Sequence, residues 1–225
     1  MKQTAANEVA NYDLLQLIPA NAVRVVEAGC GVGALAREYR KANPGSEYIG
    51  IELEADYAEL ARRHCTRVLE ADFERMSDAE LDAIGPADCW VFADVLEHLV
   101  DPWRSLARLR PRLPAGACVV ACIPNMQHWS VVARLATGDL YYEDNGLLDR
   151  THLRWFTRRT VMRLFEDAGF RITMLGGRRF NQYNNAPEMT AAVCRLATEL
   201  GADAAEAARD VAAYQWLVKA QPGQT

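Results

Sequence analysis

Residues 25–36, Val-Val-Glu-Ala-Gly-Cys-Gly-Val-Gly-Ala-Leu-Ala, constrain the fold more than any other stretch of this chain. An apolar run ends in Glu27 and passes through Gly29, Gly31 and Gly33 into a helical pattern. Glycines allow a tight turn and let a ligand come close to the backbone. The stretch therefore predicts a strand, a glycine turn and the beginning of a helix, an arrangement typical of nucleotide-binding α/β sheets.

Short apolar runs alternate with helical patterns along the chain. The predicted strands are 23–26, 48–51, 67–69, 89–93, 117–123, 170–175 and 214–219. The predicted helices are 34–42, 54–64, 77–83, 102–110, 157–168 and 187–210, the last broken at Gly201. Alternation of this kind predicts an α/β fold with a Rossmann-like, mostly parallel sheet covered by helices on both faces. We expect a single domain over residues 1–225, interrupted by an excursion at 125–156 and a helical insertion at 177–213.

Composition limits the partners and the compartment. The net charge of −5 gives no basic footprint for nucleic acid. No apolar run approaches the roughly 18–20 residues that span a bilayer, and residues 1–8 lack the apolar core of a signal peptide. The six cysteines are scattered without a zinc-ligand spacing, so we expect no structural metal. These features predict a cytoplasmic protein that acts on a small molecule.

Two nucleotide-like ligands are compatible with the glycine turn. The sequence Gly29-x-Gly31-x-x-Ala34 also satisfies the dinucleotide fingerprint, and Glu52 lies where a ribose-binding acid is expected, so NAD is a real competitor. Glu27 distinguishes the two, because a carboxylate beside the turn would repel a pyrophosphate. The same carboxylate suits a phosphate-free ligand with a cationic amino group, which favours S-adenosylmethionine.

Acidic residues follow four consecutive predicted strands. Glu27, Glu52, Asp72 and Asp94 would lie along the edge where open α/β sheets bind ligands. Glu52 can accept both ribose hydroxyls, and Asp72 can accept the adenine amino group while Phe73 packs near the ring. The predicted cofactor site comprises Glu27, Gly29, Gly31, Gly33, Glu52, Leu53, Asp72, Phe73, Asp94, Val95 and His98.

The chain resembles the class I S-adenosylmethionine-dependent methyltransferases from about residue 12 to 176 and again at the last strand. The glycine motif 27–33, the acid Glu52, the Ala71-Asp72 step and the segment 94–99 (Asp-Val-Leu-Glu-His-Leu) carry the resemblance. It implies a seven-stranded sheet whose final strand is antiparallel.

Segments beyond residue 122 resemble a bacterial subgroup of these enzymes that is often associated with glycan or polysaccharide biosynthesis. The similarity lies in Ile123-Pro-Asn-Met-Gln-His-Trp-Ser and in Gly146-Leu-Leu-Asp-Arg-Thr-His-Leu-Arg-Trp-Phe-Thr. It implies a sugar, a nucleotide sugar or a glycan precursor as the methyl acceptor. Residues 177–213 resemble nothing that we can name.

An acceptor hydroxyl must lose a proton during methyl transfer, and histidine is the natural general base. His152 is the first candidate and His128 the second, because both lie in the excursion where an acceptor would enter. Asp149 would orient a histidine or bind a sugar hydroxyl. Two alternatives stay open: methylation of a non-sugar small metabolite at nitrogen or oxygen, and a binding module that holds the cofactor without turnover.

Overall fold

A computed structural model describes residues 8–180 and 186–223. Residues 1–7, which bear on the expected absence of a signal peptide, and residues 181–185 of the predicted insertion lie outside the described part. The strands are β1 Arg24–Ala28, β2 Glu47–Glu52, β3 Arg67–Glu70, β4 Cys89–Ala93, β5 Cys118–Pro124, β6 Phe170–Arg178 and β7 Gln215–Pro222.

Within these described residues, the strands form one seven-stranded sheet in the order β3-β2-β1-β4-β5-β7-β6. Strand β1 pairs in parallel with β2 and β4, which sets Glu27 opposite Gly50 and Val91. Strand β7 lies between β5 and β6 and is antiparallel to both. The predicted fold class is therefore confirmed, including the antiparallel last strand.

Helices cover both faces of the sheet. They are α1 Tyr12–Leu15, α2 Ala34–Ala42, α3 Ala55–Ala61, α4 Asp78–Asp82, α5 Pro102–Leu109, α6 Trp129–Thr137, α7 Arg158–Asp167, α8 Pro187–Glu199 and α9 Ala204–Ala212. Neighbouring residues of β1 point to opposite faces, so Val26 joins one apolar core with Trp90 while Val25 joins the other with Val91. No helix in the part of the chain that the structure describes is long and apolar enough to cross a membrane.

The excursion at 125–156 contains a helix that its weak periodicity did not predict. Helix α6 begins after His128, whose side chain caps it, and ends at Gly138 in the left-handed conformation with φ +76°. Only Val131 of this helix is buried, against a small apolar cluster with Leu147 and Leu148. A helix that buries so narrow a face leaves little apolar pattern in the sequence.

The segment between β6 and β7 begins two residues later than the predicted start of the insertion at residue 177. Strand β6 continues to Arg178, beyond its predicted end at residue 175, and pairs with β7 to that point. Helices α8 and α9 then form the predicted helical stretch, and the break falls at Gly201, where φ is +92°.

Candidate active site

A cavity of about 1370 Å³ opens at the carboxyl ends of β1, β2 and β4. Most of the predicted site residues line it: Glu27, Gly29, Gly31, Glu52, Leu53, Asp72, Phe73, Asp94, Val95, His98, Asp149 and His152. Gly33 and His128 do not. The edge of the sheet therefore brings the predicted cofactor residues other than Gly33, and the predicted acceptor residues Asp149 and His152, to one cavity.

The glycine turn is bound to the end of β2. The backbone N–H groups of Gly29 and Cys30 donate to the Ile51 carbonyl at 2.8 and 3.1 Å. Gly29 has φ +65°, and a Cβ placed on it would lie 2.6 Å from Val95 Cγ2. Both the backbone conformation and the space therefore require glycine at this position.

Gly33 serves packing, which explains its absence from the cavity wall. It precedes α2 with φ +79°, and an added Cβ would lie 3.1 Å from the Ala61 Cα of α3. The close approach of two helices depends on this glycine, so its part in cofactor binding stays a prediction.

Glu27 is buried in the cavity wall, with 2% of its surface exposed. One carboxylate oxygen accepts a hydrogen bond of 2.9 Å from the Tyr48 hydroxyl. Burial raises the pKa of the Glu27 carboxyl well above its usual range, and the neighbouring Cys65 raises it further. A cationic group bound beside Glu27 would favour the charged carboxylate and offset this cost of burial.

Glu52 and Asp72 are held by backbone groups. The two carboxylate oxygens of Glu52 accept from the Gly31 N–H at 2.7 Å and from the Glu54 N–H at 3.0 Å. Asp72 accepts from the Glu74 N–H at 3.0 Å, at the beginning of a 3₁₀ turn that contains Phe73. Each carboxylate is thereby fixed in orientation and keeps lone pairs for a ligand.

Asp94 occupies a strained position directly after β4. Its φ of +55° is the left-handed conformation that side chains other than glycine seldom adopt. The carboxylate accepts a short hydrogen bond from the Gln215 side chain of β7. Burial raises its pKa to about 6, although the Arg178 guanidinium acts in the opposite direction.

Residues 149–152, in the segment 149–154, also line the cavity. Asp149 is 2% exposed and accepts from the Thr151 N–H at 2.8 Å and from the Thr151 hydroxyl at 2.6 Å. The rings of His98 and His152 meet edge to face, with centroids 4.8 Å apart. The first and second halves of the chain therefore both line this part of the cavity.

The two histidines proposed as bases occupy different places. His152 lines the cavity, whereas His128 is 1% exposed, does not line it, and caps α6 beside Ser130. Burial lowers the pKa of each ring to about 4. Both rings are therefore neutral at pH 7. His128 caps α6, and its proposed role as a general base stays a prediction, because it does not line the cavity.

Glu97 was not among the predicted site residues, yet it lines the cavity and is 1% exposed. Burial raises its pKa well above the usual range for a carboxyl, as do the nearby carboxylates of Asp94 and Asp149. The signal was present in the segment 94–98, where Glu97 precedes His98. Other cavity residues that the sequence did not indicate come from distant segments: Asn11, Tyr57, Arg178, Tyr214 and Gln215.

Comparison with known sequences places most of the chain in one family. The sequence profile of the methyltransferase domain matches residues 5–175. A trans-aconitate 2-methyltransferase of Pseudomonas aeruginosa is 30% identical over 102 residues, which are 45% of this chain and 36% of that protein. The matched segment thus spans about a third of the relative's length.

Solved structures show the same fold. The magnesium protoporphyrin IX methyltransferase of Synechocystis with bound S-adenosylhomocysteine superposes with a TM-score of 0.61 at 14% identity, covering 95% of this chain and 81% of that one. An S-adenosylmethionine-dependent methyltransferase from Archaeoglobus fulgidus gives 0.62 at 18% identity, covering 93% and 91%. At such identities the likeness concerns the fold.

Proposed function

Since this chain belongs to the methyltransferase domain family, we propose that it transfers a methyl group from S-adenosylmethionine to a hydroxyl of a sugar or glycan precursor. One observation carries the cofactor assignment: the Glu27 carboxylate is buried in the cavity wall beside the glycine turn. That position suits a cationic amino group and opposes a pyrophosphate. Solved structures with this fold hold S-adenosylmethionine or S-adenosylhomocysteine.

Residues at the ends of different strands bind different parts of S-adenosylmethionine. Glu27 binds the amino group of the methionine part, and the glycine turn lies against the ligand. Glu52 accepts from the ribose hydroxyls with the lone pairs that its two backbone bonds leave free. Asp72 accepts from the adenine amino group, and Phe73 packs near the ring. Asp94, Val95 and Leu53 complete the wall.

The acceptor enters on the side of the segment 149–154. In the reaction, the acceptor oxygen attacks the methyl carbon in line with the sulfonium, the carbon–sulfur bond breaks, and its electron pair stays on sulfur. The proton of the acceptor hydroxyl goes to a general base, for which His152 is the proposed residue. Asp149 binds a hydroxyl of the acceptor or holds the segment in place. The rest of the catalysis is alignment and exclusion of water.

Exposed aromatic side chains that are close in sequence to the cavity residues 144–147 and 149–152 support a sugar acceptor. Tyr141 and Tyr142 are 71% and 66% exposed and precede the cavity residues 144–147. Trp155 is 40% exposed and donates its ring N–H to the His152 carbonyl at 3.2 Å. Flat apolar faces with polar tips suit the faces of sugar rings. The resemblance of residues 146–157 to the glycan-associated subgroup points the same way.

A small carboxylic acid is the second candidate acceptor. The 30% identical relative is a trans-aconitate 2-methyltransferase, and Arg150 gives the cavity lining a guanidinium on the acceptor side. Arginine binds carboxylates in a bidentate manner. Here, however, Arg150 forms a salt bridge with Asp144. This pairing competes with the binding of a substrate carboxylate by the Arg150 guanidinium.

The test is a screen for incorporation of radiolabelled methyl groups from S-adenosylmethionine. Sugars, nucleotide sugars, small carboxylic acids and amines serve as acceptors, and Gly29→Ala serves as the control without a functional cofactor site. We expect labelled product from a sugar or a nucleotide sugar. Product from carboxylic acids alone would favour the second candidate. Binding of S-adenosylhomocysteine without product from any class would leave a binding module and contradict the proposed activity.

A further inference from the structure

Three side chains with metal-ligand atoms meet at the wall of the cavity. One ligand atom from each of Glu97, His98 and His152 lies within 4.8 Å of the other two. We propose that these residues bind a divalent transition-metal ion, and that this ion binds the acceptor hydroxyl. The second part rests on the proposed function, because it assumes that the acceptor is a hydroxyl.

The strongest observation is the Glu97 carboxylate. It is 1% exposed, and neither oxygen accepts a hydrogen bond from another residue that the structure describes; its own backbone N–H lies near enough to lower the pKa of the carboxyl but does not complete a hydrogen bond. An unpaired buried carboxylate is costly, and folded proteins normally satisfy such a group by a hydrogen bond, an ion pair or a metal. Because Glu97 lines the cavity, a cation held there would supply the missing partner.

Both histidines are prepared as ligands through their second ring nitrogens. His98 Nδ1 lies 3.2 Å from the Thr151 carbonyl oxygen, and His152 Nδ1 lies 3.3 Å from the Leu147 carbonyl oxygen. A carbonyl oxygen only accepts, so each Nδ1 must carry the proton in these hydrogen bonds. The lone pair is then on Nε2, which leaves that atom free to bind a metal. Carbonyl partners of this kind are typical of metal-binding histidines.

The backbone brings the three residues together before any ion binds. The Glu97 carbonyl accepts from the N–H groups of Leu153 and Arg154 at 2.8 and 2.9 Å. Thr151 adds a contact between its hydroxyl and His98 Nδ1 at 3.1 Å, across 53 positions of the chain. The 3₁₀ turn Leu96–His98 and the segment 149–154 are thus fixed to each other. Such preorganisation favours a binding site over an accidental cluster.

The donor set indicates the class of metal. Two imidazoles and one carboxylate suit Zn²⁺, Mn²⁺, Fe²⁺ or Co²⁺, whereas Mg²⁺ and Ca²⁺ prefer oxygen ligands alone. Three protein ligands leave coordination positions open for a further ligand, as in catalytic zinc sites. Since all three residues line the cavity, an acceptor hydroxyl can occupy such a position.

A bound cation would change how the acceptor loses its proton. A hydroxyl on a divalent cation has a lowered pKa, so the proton leaves to solvent and the metal-bound oxygen keeps its electron pair. That oxygen forms the bond to the methyl carbon while the carbon–sulfur bond breaks and sulfur takes the pair. Nothing is oxidised or reduced. In this scheme His152 is a metal ligand and does not act as the general base, because the proton of the acceptor hydroxyl goes to solvent.

The probe is Co²⁺, titrated into the chelator-treated full chain and followed by its visible absorption and by calorimetry. We expect one ion per chain and no near-ultraviolet band from thiolate ligands, although six cysteines are present. Glu97→Gln, His98→Ala and His152→Ala should each lower Co²⁺ affinity about tenfold or more. His64→Ala, a change in the histidine three residues after α3, should leave the Co²⁺ affinity unchanged.

Thermal unfolding of each variant without metal shows whether it still folds, and Glu97→Gln preserves the shape of the side chain. Thiolate bands, absence of a stoichiometric ion, or equal Co²⁺ affinity in the well-folded Glu97→Gln chain would overturn the metal site. Co²⁺ binding with the expected losses would support the site even if no hydroxyl acceptor is found. Methyl transfer that persists in the presence of a chelator would show that the ion does not take part in the reaction. The proposed methyl transfer itself would still stand.

Discussion

The two walls of the cavity are built in different ways. The wall that we propose binds the cofactor, here called the cofactor wall, consists of residues near the carboxyl ends of strands: Glu27 lies one residue before the end of β1, Glu52 ends β2, and Asp94 directly follows β4. The wall that we propose binds the methyl acceptor, here called the acceptor wall, is made by contact between segments far apart in sequence, as in the hydrogen bond of 3.2 Å from His98 to the Thr151 carbonyl. One wall follows from local sequence order, and the other depends on tertiary docking.

This difference predicts that the two walls respond separately to substitution. Changes in the glycine turn should remove cofactor binding, and with it all turnover. Changes in the segment 149–154 should reduce turnover while the cofactor still binds. If a substitution in the segment 149–154 lowered cofactor affinity as much as turnover, the two walls would be coupled.

Gly29→Ala should have the largest effect. The added Cβ would lie 2.6 Å from Val95 Cγ2, at a backbone φ of +65° that alanine rarely adopts. We expect affinity for S-adenosylhomocysteine to fall about 100-fold or more, which corresponds to about 3 kcal/mol. Isothermal titration calorimetry measures this loss.

Gly45→Ala is the matched control, because a Cβ placed there meets no atom within 4 Å. Its affinity should equal that of the natural chain. Near-normal binding by Gly29→Ala would show that the turn does not lie against the ligand in the way proposed.

Asp149→Asn should lower turnover by about 10- to 100-fold, because a charged hydrogen-bond acceptor contributes about 1.5–3 kcal/mol. The carboxylate accepts two bonds from Thr151 and lines the cavity. Affinity for S-adenosylhomocysteine should stay within about twofold, because the cofactor wall is unchanged. Steady-state kinetics with an acceptor from the radiolabel screen, combined with calorimetry, measures both. A parallel loss of cofactor affinity would contradict the separation of the walls.

His128→Asn should have the smallest effect, and only on stability. The native pKa of about 4 lies below the unfolded value of about 6.5. The unfolded chain therefore binds more protons between these values, and the free energy of unfolding falls as the pH falls through them. Asparagine can still cap α6 but does not titrate. The loss of stability between pH 7 and pH 5 should shrink by about 1–2 kcal/mol.

Urea unfolding at the two pH values gives this difference, with the natural chain as reference. An unchanged pH dependence would show that His128 is not buried in its neutral form. Loss of methyl transfer in a stable His128→Asn chain would restore His128 as a candidate base.

The strand–helix order was predictable because apolar runs and turn residues encode it locally. Helix α2 and strand β4 have their predicted boundaries. Helix α6 was missed because only Val131 is buried within it, and its beginning depends on a histidine cap. The extension of β6 to Arg178 was missed because it follows from pairing with β7.

The acidic residues proposed to bind the cofactor could be identified because Glu27, Glu52 and Asp94 lie at or next to the carboxyl end of a recognisable strand. Glu97 was missed although it precedes His98 in the segment 94–98, because its proposed role depends on His152, which the docked segment 149–154 brings near. The cysteines and histidines have no zinc-ligand spacing in the sequence, so no metal site was predicted. A site assembled across tertiary contacts leaves no short motif.

The cofactor assignment depends on a contact between the Glu27 carboxylate and the cationic amino group of S-adenosylmethionine. It is tested by comparing S-adenosylhomocysteine with 5′-methylthioadenosine, which lacks the amino acid part, on the natural chain and on Glu27→Gln. Calorimetry should show a loss of about tenfold or more for S-adenosylhomocysteine and almost none for 5′-methylthioadenosine. Equal losses for both ligands, or no loss for S-adenosylhomocysteine, would contradict the claim.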